Sequence, residues 1–175
     1  HQLGYAQQLP DFAYYSMVMQ SGVTTFDGSG SPVSQWITPG VLPVDVAVSE
    51  DGSQIAVAYA GSNTVAVTSG GSYGGGSVSA QSVIAVAFGA RGAEGAPQSS
   101  LVYQTREPAR IGFYDGRQPI TLTTDSVADT GHQIFHTDAG MGVACASCHP
   151  EGREDGRTWI FPEEGRRRTQ NISGG

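Results

Sequence analysis

The chain has 175 residues, with 25 Gly, 9 Pro and only 14% charged side chains, which is the composition of a turn-rich β protein and not of a helical bundle. Its net charge of −7, with nine arginines and no lysine, argues against nucleic acid or an anionic membrane surface as a partner. No apolar run reaches the length of a membrane span.

The length allows one ordinary domain or two small ones. The sequence opens with neither an initiator Met nor a signal-peptide pattern, as expected of a mature product or a piece of a longer chain. An N-terminal histidine can bind copper through its amine and ring, but after His1 the residues Gln2, Leu3 and Gly4 add nothing to such a site. Phe12 to Met19 is an aromatic and apolar cluster that reads as core. Val23–Phe26 followed by Asp27-Gly28 reads as a strand and turn, and Trp36-Ile37 as part of another strand.

Two segments then repeat. The first runs Val44–Val48, Ile55–Tyr59 and Asn63–Val67. The second runs Ile84–Phe88, Leu101–Gln104 and Ala109–Tyr114. Val46 corresponds to Val86 at an offset of 40; Ile55 corresponds to Leu101, and Val65 to Ile111, at an offset of 46. The second copy therefore carries six extra residues in the turn at 92–100. Asp51-Gly52 and Gly61-Ser62-Asn63 supply turns between strands. The strands at 46–48 and 55–59 read as buried. Residues 69–77 read as a Gly/Ser loop. Asp115-Gly116 closes the second unit before a strand at 120–123. Three strands in a period of 40–46 residues is the spacing of a propeller blade. On the residues Tyr59-Ala-Gly-Ser-Asn63-Thr-Val65, the unit resembles the propeller repeat named for its Tyr-Val-Thr-Asn strand. Two such units do not close a ring, so the sequence is expected to belong to a larger polypeptide or assembly.

Beyond Asp125 the alternation stops. Asp129 or Thr130 is placed to cap a helix through Gly131–His136. A Gly-containing loop with Met141 leads to Cys145-Ala-Ser-Cys148-His149, which holds both cysteines of the chain. Cys-x-x-Cys-His is the pattern of covalent haem attachment: two thiols add to the two vinyl groups, and the adjacent imidazole reaches the iron. Two other chemistries use a Cys-x-x-Cys pair. One is a redox dithiol; the other is half of a zinc site, completed here by His132 and His136. A plain disulfide is a third option. Distal iron ligation could come from His132, His136 or Met141; otherwise the two histidines lie on the helix surface or meet a propionate. Arg166, Arg167 and Arg168 either pair with haem propionates or answer Glu163 and Glu164 in a solvated turn. Trp159 either packs on the haem edge or fills a core beside Phe161.

Three elements in order, Gly131-His-Gln-Ile-Phe135, Cys145-Ala-Ser-Cys-His149 and Arg168-Thr-Gln-Asn-Ile172, resemble the N-terminal haem domain of the bacterial dihaem cytochrome c peroxidase family, which includes the methylamine-utilisation dihaem enzyme. The chain departs from that pattern at Gln170 and Asn171, and no histidine follows His149. The resemblance implies covalent haem c, a periplasmic or extracellular setting and a redox partner protein. It also implies peroxidase-type oxidoreductase chemistry if the distal side of the iron is open. That reaction needs an acid–base group and a second haem, and the sequence assigns neither.

The expectation is a mainly β chain with a small α part. Residues 1–124 form incomplete propeller blades, and residues 125–175 form the start of a helical c-type cytochrome domain. Cys145 and Cys148 attach haem, His149 is the proximal iron ligand, and Arg167, Arg168 and Trp159 line the cofactor. His136 is a candidate distal ligand. The competing expectations are a binding scaffold whose haem is a simple electron relay, and a zinc- or disulfide-stabilised propeller without haem.

Overall fold

In the computed structural model, residues 2–4, 19–69, 75–89, 100–140, 142–161 and 164–174 are described. The chain is mainly β. The first sheet has three strands, β1 (Gln2–Gly4), β2 (Met19–Phe26) and β3 (Pro32–Thr38), in the order β1-β2-β3. The second is a four-stranded antiparallel meander of β4 (Pro43–Val48), β5 (Gln54–Tyr59), β6 (Thr64–Ser69) and β7 (Ser77–Ser79). The third repeats that meander with β8 (Val83–Phe88), β9 (Leu101–Thr105), β10 (Arg110–Phe113) and β11 (Ile120–Thr121).

The offsets of 40 and 46 hold in the strand register. Val46 pairs with Val57, which pairs with Ala66; Val86 pairs with Tyr103, which pairs with Gly112. The first strand of each meander carries a bulge at the same place, between Pro43 and Asp45 in β4 and between Val83 and Ala85 in β8. A residue with positive φ precedes each: Leu42 at 54° and Ser82 at 52°. Within the shared row, volume is exchanged. Tyr103 stands where the first unit has Val57, and Gly112 stands where it has Ala66. A Cβ at Gly112 would lie 2.3 Å from the Tyr103 ring, so glycine makes room for the larger partner.

The three sheets stack. Ala56, Ala58, Val65 and Val67 of the second sheet pack against Val83, Val86 and Leu101 of the third. On the other side of the second sheet, Val57, Tyr59 and Ala66 pack with Val23 of β2. A side-chain hydrogen bond reinforces the first interface: Asp45 Oδ2 accepts from the Val86 backbone N–H at 2.8 Å.

Several expectations change. The expected loop at 69–77 ends in a fourth strand, β7, whose serines hide it from a propensity reading. Val46 and Val48 were expected to be buried but are 56% and 57% exposed, because none of the described residues covers that side of β4. Most of the expected aromatic cluster at 12–19 lies outside the described residues; Met19 is 2% exposed, as core. The six extra residues of the second unit, and Met141, also lie outside them. Among the described residues there is no closed propeller and no helical cytochrome domain. The α part is two short helices, α1 (Thr130–His136) and α2 (Cys145–Cys148), a 3₁₀ turn at Pro150–Gly152, and a hairpin of β12 (Thr158–Phe161) and β13 (Gly165–Arg168).

Candidate functional site

Asp129 caps α1, its carboxylate accepting the His132 backbone N–H at 3.1 Å. The loop after α1 is organised by Asp138. Its Oδ1 accepts the backbone N–H groups of Gly140 and Gly142 at 2.9 and 3.1 Å, and its own N–H donates to the Gly61 carbonyl at 3.0 Å. That last bond fastens the loop to the turn between β5 and β6. The sequence reading missed Asp138, although an Asp-x-Gly-x-Gly spacing is a signal for such a turn.

The Cys-x-x-Cys segment is one helical turn. Ser147 steadies its start by accepting the Ala144 N–H at 3.1 Å. The His149 N–H donates to the Cys145 carbonyl at 3.0 Å, closing the turn and placing the histidine directly after it. Ala144 and Ala146 are buried against Val41 and Leu42, with Phe135 of α1 beside them. Positions 145 and 148 are three apart on the helix and so share a side of it. Cys145 is exposed, Cys148 half-buried, and the two thiols are not joined. Burial, with a further contribution from the Asp155 carboxylate, pushes the Cys148 thiol up from its ordinary pKa. His149 is half-buried, and its Nδ1 is a buried ring nitrogen without a hydrogen-bond partner.

The remaining expected residues lie in two places. Trp159 is 6% exposed within the β12–β13 hairpin, where its Nε1–H donates to Asp155 Oδ2 at 2.9 Å and Thr169 Oγ1 at 3.1 Å. The Arg157 guanidinium sits 5.8 Å from its ring centroid. Burial works against ionisation of Asp155, but hydrogen bonds from the Arg157 N–H, Thr169 and Trp159 outweigh it and hold the carboxyl below its ordinary range. Arg166, Arg167 and Arg168 are all exposed on β13; Arg168 pairs with Glu154 at 3.2 Å.

His132 and His136 stack on each other on α1 with ring centroids 4.0 Å apart, and His136 Nδ1 is 2.8 Å from the His132 carbonyl oxygen. Burial, then the neighbouring His136, lowers the pKa of His132. Both line a cleft of about 160 Å³ with Val44, Asn63, Ile84 and Arg106; Cys145, Cys148 and His149 are not among its lining residues. The two ligands that a zinc site would add to the cysteines thus face elsewhere. Among the described residues, no group of three or more His, Cys, Asp or Glu side chains converges to hold a metal ion.

Fold and site together define a mainly β chain of stacked repeat sheets carrying a Cys-x-x-Cys-His turn at one end. No protein-family model and no curated protein matches the chain.

Proposed function

We propose that this is a c-type haem protein: one haem attached through Cys145 and Cys148, His149 as its axial ligand, passing single electrons to and from a redox partner protein in the bacterial periplasm or outside the cell. In the same reading the second and third sheets are consecutive propeller blades, and the segment from about 125 onward begins a cytochrome domain of the dihaem-peroxidase type. The blade reading is supported by the repeated register and the repeated bulge.

The observation that carries the haem reading is the donor set on α2. Two unjoined thiols share one helical turn, and the next residue is an imidazole with a buried nitrogen that the folded chain leaves without a partner. Buried polar groups are almost always paired; among the described residues His149 Nδ1 shares its lack of a partner with Trp36 Nε1 and Thr38 Oγ1, and what sets it apart is the thiol pair beside it. When bound, the haem supplies an iron that gains or loses one electron. The chain's own contributions are the tether, the axial nitrogen, and a support fixed by Ala144, Ala146, Val41 and Leu42. Arg166 and Arg167 are exposed cations on the neighbouring hairpin and suit the propionates.

The test is export of the chain to the periplasm of a bacterium with cytochrome c maturation, followed by a pyridine haemochrome spectrum and intact mass. A mass gain of one haem that survives acid–acetone extraction, and is lost in Cys145→Ala/Cys148→Ala, is expected. A haem-free mass, a disulfide or bound zinc would overturn the reading. A low-spin spectrum then marks an electron relay, and a high-spin spectrum marks a peroxidase-type enzyme.

A further inference from the structure

The cleft beside α1 lies where the two meanders meet, and the repeat shows what is special about it. Val44 and Ile84 occupy the same repeat position at the offset of 40, and Ala60 and Arg106 the same position at the offset of 46; all four line the cleft. The backbones at the second pair match. The Ala60 N–H donates to the Leu42 carbonyl at 3.0 Å, and the Arg106 N–H donates to the Ser82 carbonyl at 2.9 Å. Because the first unit makes this bond with an alanine, the bond itself does not call for a guanidinium.

Arg106 is half-buried, and among the described residues its side chain has no hydrogen-bond or ion-pair partner. Asp129 does not pair with it. The Asp129 carboxyl is lowered chiefly by the His132 N–H that it caps, and least by Arg106. The His132 ring stacks on His136 and makes no hydrogen bond among the described residues. Arg106 adds to burial and to His136 in keeping positive charge off His132, so the histidine pair is a poor seat for a metal cation. An arginine without a carboxylate, beside an imidazole N–H and an aliphatic wall, is a donor set for a carboxylate with an apolar body. The planar fork takes the two oxygens, and the wall takes the carbon atoms. The volume of about 160 Å³ is close to that of an apolar cavity of roughly 150 Å³ that accepts benzene.

We infer that the cleft between the two meanders and α1 is a binding site for a small monocarboxylate whose apolar body is no larger than about one six-membered ring. Arg106 and the His132 ring hold the carboxylate, and Val44 and Ile84 receive the body. The inference does not depend on what Cys145 and Cys148 carry, since neither lines the cleft, and failure of the haem reading leaves it intact.

The probe is sodium benzoate, titrated into the full chain at constant ionic strength and followed by amide and imidazole NMR shifts. Saturable shifts at Ile84, Arg106 and His132 are expected. Acetate, which lacks the body, and benzamide, which lacks the charge, should both bind more weakly. Arg106→Ala should weaken benzoate about tenfold or more, through loss of a charge-assisted pair. The Arg106 side chain holds nothing else in place among the described residues, so the variant should fold; unchanged circular dichroism checks that, and the benzamide comparison on the parent chain stands in either case. Arg110→Ala removes an equal charge from an exposed position on β10 and should bind benzoate as the parent does. No saturable shift, benzamide binding as well as benzoate, undiminished binding by Arg106→Ala, or an equal loss in Arg110→Ala would overturn the inference. So would binding that requires a divalent metal and is lost on chelation, since His132 and His136 would then form a metal site.

Discussion

Asp155 joins the two halves of the C-terminal segment at the level of single atoms. It accepts from Trp159 Nε1 and, through Oδ1, from the Arg157 N–H at 2.9 Å. A carboxyl held below its unfolded pKa stabilises the fold above that value, about 3.9, and ceases to do so as the pH falls through the folded value. The Trp159 environment should therefore loosen only below about pH 4. Tryptophan fluorescence of the chain and of Asp155→Asn checks this: the variant should lose the acid transition, and a parent midpoint above about pH 5 would contradict the assignment. The cysteines differ in the same way that their surroundings do. In haem-free protein at pH 8, iodoacetamide should label exposed Cys145 ahead of Cys148, whose thiol burial holds protonated. Peptide mapping reads the order, and equal rates would refute it. The sequence displayed the Cys-x-x-Cys-His spacing in full. It did not display Trp159's partners, because a tryptophan near an aspartate and a threonine looks the same whether the three meet or not.

At the scale of elements, the two positive-φ residues before β4 and β8 make a matched pair with opposite side-chain roles. Ser82 is half-buried with a small polar side chain, while Leu42 is buried in the cluster that holds α2. Replacing Ser82 by glycine relieves a left-handed backbone and should raise stability by roughly 1 kcal/mol. Leu42→Gly relieves the same backbone but empties a packed site, and should cost about 2–5 kcal/mol. Denaturant melts distinguish the two, and a shift of the same sign in both would count against the packing argument. The elements themselves were mostly legible. The strand at Val23–Phe26, the paired runs around Val46 and Val86, and Asp129 at the start of a short helix all fell where local chemistry put them. What was not legible depended on neighbours. β7 is serine-rich and exists because β6 offers it an edge. β12 and β13 looked like an apolar patch and a basic run, and became a hairpin through pairing of Trp159 with Arg167. Val46 and Val48 looked like core because valine usually is, yet among the described residues no neighbour covers them.

The second and third sheets share one core, so they should melt together. Leu101 is 6% exposed and sits among Ala56, Val65 and Val86, side chains from both. Leu101→Ala should cost about 2–5 kcal/mol and speed amide exchange in β5 and β9 by a similar factor. Faster exchange confined to β9 would mean the sheets are independent. The stacking of the second and third sheets was implicit in the 40- and 46-residue offsets, but the packing of Val23 against Val57 and Tyr59 was not, since the first sheet has no repeat partner in the sequence. The difference between the two offsets has a practical use. In the first unit the turn is closed by the Ser49 N–H on the Gln54 carbonyl at 2.9 Å; in the second, Gly89 and Ser100, the same repeat positions, make the same bond at the same 2.9 Å. Four residues lie between the closing pair in one unit and ten in the other, yet the pairing downstream is unchanged. Chain length at that point is decoupled from everything after it, which makes the interval between Gly89 and Ser100 a natural place to graft an epitope or a reporter without disturbing the rest of the molecule.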